Sequence, residues 1–213
     1  MKYKGILLFD MDGTIADTDP MLLATFNVLY DKYKNGQRKS KEEVYYFSGP
    51  PIRETLKKEF PHMDNDFMYE EFYKLSSSFY PTHVFPYPNE REVLLSLKEK
   101  GYKLGVVTNK QHSMAVYVLE LLNIKDAFDL VIGFDDVSNG KPNPEGILKA
   151  IKYYGATLEE TIYIGDNEID YKTAVNAGVR CALVANGPRK INPDVKPDIW
   201  FNSFIELEEK IDG

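Results

Sequence analysis

Two aspartates two positions apart, Asp10 and Asp12, follow directly on the apolar run Ile6-Leu7-Leu8-Phe9, and Gly13-Thr14 comes next. A carboxylate in such a place can attack an electrophilic centre, and a second one beside it can move a proton. Two neighbouring carboxylates also repel, so they call for a cation, a proton or both. Alone, Asp-x-Asp-Gly reads as an acidic turn after a strand. The rest of the chain supplies what that turn lacks. Thr108 and Asn109 close the stretch Tyr102–Val107, Lys141 sits in Gly140-Lys141-Pro142-Asn143-Pro144, and Asp166 closes Thr161–Gly165, with Asp170 four residues on. Together these residues offer a nucleophilic carboxylate, a proton-moving carboxylate, a hydroxyl and amides for anionic oxygens, and a lysine to offset charge. Asp166 and Asp170 add oxygen ligands, and an oxygen-only set with waters suits Mg²⁺ rather than zinc.

The elements that must position these groups follow from the pattern. Ile6–Phe9 reads as a buried strand, and Gly13 lets the chain turn sharply behind it. Asp19-Pro20 predicts a helix start with Asp19 as N-cap, and Leu22, Phe26, Leu29 and Tyr33 then share one face. Ser40 with Glu43 predicts a capping box. Ile52, Leu56 and Phe60 predict a further helix, and Met68, Phe72, Leu75 and Phe79 another. No strand pattern occurs from about 17 to 86, and Pro81, Pro86 and Pro88 stiffen the return path. Beyond it the texture alternates. Asn89 with Glu92 predicts a second capping box, Tyr102–Val107 a strand, 112–123 a helix and Asp129–Gly133 a short strand. A helix stopping at Gly155, the strand Thr161–Gly165, the helix Ile169–Ala177, the strand Val179–Val184, an edge strand Asp198–Phe201 and a closing helix Phe204–Ile211 complete the chain. Alternation of this kind predicts an α/β fold with a parallel sheet, here with a helical cap (17–86) inserted into a core made of 1–16 and 87–213. Parallel strands place Asp10, Thr108 and Asp166 on one edge of one sheet, the edge where such folds bind ligands.

Composition narrows the partners. The 213 residues carry a formal net charge of −7, which argues against an electrostatic nucleic-acid surface. No stretch approaches the roughly 20 apolar residues of a membrane helix. The opening residues lead straight into a strand and show no secretory signal, and the single Cys181 lies in an apolar run, so a soluble cytoplasmic protein is expected.

At these residues the chain resembles the haloacid dehalogenase superfamily. The four segments Asp10-Met11-Asp12-Gly13-Thr14, Thr108, Lys141 and Gly165-Asp166-Asn167-Glu168-Ile169-Asp170 occur in that family's order, and the resemblance covers nearly the whole chain. The texture is similar to the helical-cap phosphatases, among them phosphoglycolate phosphatases and bacterial pyrophosphatases. The resemblance implies a Rossmann-like core and a Mg²⁺-dependent phosphatase that hydrolyses a small phosphorylated substrate through an aspartyl-phosphate. It implies Asp10 as nucleophile, Asp12 as acid and base, and a Mg²⁺ site made of Asp10, Asp166 and the carbonyl of Asp12. It further implies that Thr108 and amides near Asn109 bind phosphoryl oxygens, that Lys141 steadies the charge, and that Asp170 orients Lys141 or a bound water. Related caps dip a loop into the site, which here is Gly49–Arg53, so Arg53 is a candidate for pairing with a second anionic group. His112, four residues past Thr108, is a weaker candidate for the pocket.

Other readings share part of this set. A β-phosphoglucomutase-like phosphomutase also uses an Asp10–Asp12 pair, and free phosphate release separates it from a phosphatase. A signalling receiver domain uses an acidic pair, a hydroxyl and a lysine, but its order differs and it has no cap insertion. A dehalogenase has no use for Asp12, since a departing halide needs no proton.

Overall fold

The computed structural model describes residues 4–185 and 187–212. Six parallel strands form one sheet in the order β3-β2-β1-β4-β5-β6: β1 (Gly5–Phe9), β2 (Tyr102–Val107), β3 (Leu130–Ile132), β4 (Thr161–Gly165), β5 (Arg180–Val184) and β6 (Ile199–Phe201). The chain winds outward from β1 to β3, then returns to β4 on the other side of β1. The strand order therefore reverses between β1 and β4, which opens a crevice at their carboxyl ends. Register brings the strand ends level, because Phe9 pairs with Val106 on one side and with Ile164 on the other.

Alternate residues of β1 face opposite layers, as the two-residue period of a strand requires. Leu7 and Phe9 join Leu104, Val106 and Ile164 under α5 (Glu90–Glu99), α6 (His112–Leu121) and α9 (Phe204–Asp212). Ile6 and Leu8 join Tyr163 and Leu183 under α7 (Glu145–Tyr154) and α8 (Glu168–Ala177). All five residues of β1 are buried, which is why this central strand reads as an unbroken apolar run.

Between β1 and α5 lie four helices: α1 (Asp19–Tyr33), α2 (Lys41–Tyr45), α3 (Ile52–Glu59) and α4 (Asn65–His83). They enclose a core of their own that includes Leu22, Phe26, Tyr30, Val44, Leu56 and Phe72. The ends of α1 and α4 belong to the main core instead, since Met21 and Tyr80 pack there with Ile15 and Phe9. An isolated antiparallel bridge ties Asp17 to Phe85 where the chain leaves and re-enters the sheet domain. Among the described residues, no helix is long and apolar enough to cross a membrane.

The expected box at Ser40 forms, with Glu43 N donating to Ser40 Oγ and Ser40 N to Glu43 Oε2. Three local expectations are corrected. Asp19 is the first helical residue of α1, not its cap; Thr18 takes that position, and the Asp19 carboxylate turns to Arg189. Asn89 adopts a left-handed conformation (φ 60°) and its side chain caps nothing; Glu90 Oε2 instead accepts from Tyr87 N at 2.8 Å. Pro81 lies inside the last turn of α4 rather than in the return loop. Asp19 is drawn away by the Arg189 guanidinium, and Asn89 lacks the extended backbone from which a capping side chain reaches the first helical N–H groups.

Candidate active site

The chain leaves β1 with Asp10 N donating to Ile164 O, which pins Asp10 at the mouth of the crevice. A tight turn follows, in which Met11 O accepts from the backbone of Thr14, Ile15 and Ala16. Gly13 completes it at φ +87°, in the left-handed region. A Cβ there would stand 2.3 Å from Asp166 Oδ2, so only glycine lets the turn approach the second acidic strand end.

Lys141 reaches into the same crevice from the loop before α7. Its ammonium lies 2.6 Å from Asp10 Oδ1 and 2.7 Å from Asp170 Oδ1, and all three residues are buried. Burial works against the charge on Lys141, but Asp10 and Asp170 overcome it and hold the ammonium well above the ordinary lysine range. Burial also pushes the Asp10 carboxyl up to about 6, against the pull of Lys141 and with a further push from Asp170 and Asp12.

Asp170 is fully committed. Its Oδ2 accepts from the backbone of Asp166 and Asn167, closing a capping box with Asn167 at the start of α8, while Oδ1 holds Lys141. Gly165 has no Cβ, and any Cβ would collide with Asp170. Asp166 is nearly inaccessible, and burial pushes its carboxyl up to about 8 even though Arg189 opposes the shift. Oxygens of Asp10, Asp166 and Asp170 lie within 4.8 Å of one another, a grouping that can hold a metal ion. Hard oxygen donors alone suit a cation such as Mg²⁺, and carboxylates this buried repel each other without one. The Asp12 carboxylate lies outside this grouping, so Asp12 could serve a cation there only through its carbonyl.

Thr108 N donates to Ile132 O, and Thr108 Oγ1 accepts from Lys110 N at 3.2 Å. The Asn109 side chain stitches three segments together: Nδ2 donates to Gly49 O of the cap loop and to Lys141 O, and Oδ1 accepts from Lys141 N. Above these residues the cap encloses a chamber of about 60 Å³, walled by Asp10, Asp12, Thr108, Asn109 and Lys110 below and by Phe47–Pro50, Phe72 and Tyr80 above.

Asp10, Asp12, Thr108, Asn109, Lys141, Asp166 and Asp170 are therefore brought together. Arg53 is not. Its loop lines the chamber through Ser48, Gly49, Pro50 and Ile52, but Arg53 points along the outside of α3, pairs with Asp66 and stacks on Tyr69. His112 is also outside, exposed and 2.6 Å from Asp136.

Two residues unforeseen in the sequence complete the site. Lys110 Nζ lies 2.9 Å from Asp12 Oδ1, close enough for an ion pair but without the alignment of a hydrogen bond. Arg189 crosses from core to cap: Nη1 pairs with Asp166, Nη2 with Asp19 at the start of α1, and Nε donates to Tyr45 O at the end of α2. Signals for both existed, because Lys110 directly follows Thr108-Asn109 and Arg189 lies in the loop after β5, on the same sheet edge.

Residues 7–184 match the family described as haloacid dehalogenase-like hydrolase. The chain is 35% identical to Pyrophosphatase PpaX of Halalkalibacterium halodurans over 84% of this chain and 82% of that protein. It is 33% identical to Pyrophosphatase PpaX of a Listeria monocytogenes strain, covering 94% and 93%. Among solved structures, a haloacid dehalogenase-like hydrolase of Bacteroides fragilis superposes with a TM-score of 0.86 at 26% identity, covering 97% of this chain and 100% of that one.

Proposed function

The chain belongs to the haloacid dehalogenase-like hydrolase family, and we propose that it is a Mg²⁺-dependent phosphatase of a small phosphorylated compound, with pyrophosphate or a phosphoglycolate-like ester as substrate. The observation that carries this reading is the Asp10 carboxylate. It is held by Lys141 at the reversal of strand order, with Asp12 two residues on and Asp166 and Asp170 beside it. The two relatives named above as pyrophosphatases support the choice of substrate.

In this reading one Asp10 oxygen attacks phosphorus while the bond from phosphorus to the leaving oxygen breaks. Asp12 gives that oxygen its proton, and an aspartyl-phosphate remains on Asp10. Water then attacks the same phosphorus, Asp12 takes its proton, and the acyl-phosphate bond breaks to release phosphate and restore Asp10. The Thr108 hydroxyl and nearby backbone N–H groups donate to the phosphoryl oxygens, and Lys141 keeps Asp10 aimed and offsets the gathering negative charge. Asp170 acts by holding Lys141. A Mg²⁺ ion held by Asp10, Asp166 and the Asp12 carbonyl would neutralise phosphoryl charge. Residues 17–86 act as a lid that keeps bulk water from the acyl-phosphate.

Phosphate release from pyrophosphate, phosphoglycolate, a sugar phosphate and an aryl phosphate, with and without Mg²⁺, tests the proposal. A phosphoenzyme trapped on the native protein and absent from Asp10→Asn is expected. Release unaffected by Asp10→Asn, or full activity in a chelator, would overturn it.

A further inference from the structure

We propose that Lys110, with the Ser48 hydroxyl, forms the subsite that takes a negatively charged leaving group. The substrate would then be a compact phosphate ester or anhydride whose departing part carries its own anionic group. The inference rests on the phosphatase reading and assigns the substrate's second charge to a residue of the core, where Arg53 of the cap had been expected.

Four observations converge on it. Among the described residues, Lys110 is the cation on the chamber wall; Lys141 lies deeper, under Asp10. The Lys110 side chain is only 10% exposed, and its Nζ stands 5.6 Å from the Tyr80 ring centroid. Ser48 Oγ, on the cap loop lining the same chamber, is buried and has no hydrogen-bond partner. The chamber, at about 60 Å³ with the cap loop tied to Asn109, leaves room for a small departing group only.

Lys110 Nζ lies 2.9 Å from Asp12 Oδ1 without the alignment of a hydrogen bond, among the apolar walls of Met21, Leu22, Phe47 and Phe72. A cation in so dry a chamber gains most from an anionic partner that also accepts its hydrogen bonds. A phosphate or carboxylate on the leaving group would be such a partner, and would accept from Ser48 Oγ as well. As the bond to phosphorus breaks, Lys110 would also stabilise charge growing on the departing fragment. A neutral sugar leaving group offers no such compensation.

The test compares kcat/KM for pyrophosphate (a phosphate tail), phosphoglycolate (a carboxylate tail) and ethyl phosphate (a neutral tail) in the native protein, Lys110→Met, Lys110→Arg and Ser48→Ala. For Lys110→Met, the ratio of anionic-tail to neutral-tail substrate should fall roughly ten- to a hundredfold, the worth of one charge-assisted hydrogen bond. Lys110→Arg should restore most of that ratio, and Ser48→Ala should lower it less. Whichever anionic tail loses more identifies the tail the subsite was built for. If Lys110 serves only to set the protonation of Asp12, all three substrates fall alike and the pH–rate profile shifts; that result overturns the subsite. Calorimetric titration of pyrophosphate and of ethyl phosphate into Asp10→Asn, with and without Lys110→Met, reads the subsite without turnover. Selective loss of pyrophosphate binding there supports the subsite even if the native protein hydrolyses none of the esters, an outcome that would overturn only the phosphatase reading. Equal binding in both proteins overturns the subsite and leaves that reading standing.

Discussion

Replacing Arg189 by Met should cost about 3–5 kcal/mol of folding stability near pH 9, because breaking a buried ion pair strands its partner. Met retains much of the apolar stem, so the loss falls on the head group. Two carboxylates are stranded, those of Asp166 and Asp19, and Tyr45 O loses its donor. Against a total of about 5–15 kcal/mol for a typical domain this is roughly a fifth or more of the stability. In a chain of this length it lowers Tm by roughly 6–20 °C. The pH dependence gives the sharper check. With Arg189 present, burial already pushes Asp19 up to about 6 and Asp166 up to about 8 from an ordinary 3.8. A carboxyl with a raised folded pKa holds its proton longer folded than unfolded, so its stability contribution is retained at low pH and lost as pH rises through that window. Removing Arg189 raises both further. The difference between variant and native protein should therefore be small below about pH 6, where both carboxyls are protonated in either folded protein, and grow above it as first Asp19 and then, past pH 8, Asp166 ionises in the native protein. Urea unfolding followed by circular dichroism in a chelator, from pH 5 to 9, measures this. Asp19→Asn in the variant background should recover about 1–3 kcal/mol, since it removes one of the stranded charges. A loss under about 1 kcal/mol, or one that is flat with pH, would refute the reasoning.

Three further outcomes are expected. Asp12→Asn should slow phosphoenzyme formation far more with alkyl phosphates than with aryl phosphates, whose leaving oxygen needs less help from a proton, and equal loss across leaving groups would deny Asp12 the acid role. Asn109→Ala should cost about 1–3 kcal/mol by orphaning Gly49 O and the Lys141 backbone, and hydrogen exchange should quicken in both the 48–52 and 140–143 segments; quickening in neither would mean that Asn109 does not latch the cap loop. Glu90, nearly inaccessible with Oε1 unpartnered, is pushed up by burial to about 8, so it weakens the fold as pH rises from 4.5 through 8. Glu90→Gln should leave stability at pH 5 little changed and raise it at pH 8.5, and unfolding curves that move together at both pH values would remove Glu90 as the cause.

What the sequence determined by itself was everything decided within a few residues. The apolar run before Asp10, the polar residue closing each strand and the glycines after the helices record backbone and burial preferences that neighbours impose on each other. Alternating strands and helices then make a parallel sheet, and a parallel sheet gathers Asp10, Thr108 and Asp166 at one edge whatever lies between them. The proposed catalytic set was legible for that reason. Direction of a side chain off its element was not. Arg53 was foreseen in the chamber because its loop enters it, yet it sits just inside α3, where Asp66 and Tyr69 hold it outside. Lys110 stood beside Thr108-Asn109 in plain sight, but that it meets Asp12 depends on how the β1 and β2 loops pack. Arg189 and Asp19 are 170 positions apart. No local pattern couples residues at such separation, because their pairing exists only once the cap has docked and water has been excluded from between them. Only then do charges that would be ordinary in solvent acquire shifted protonation and fixed partners.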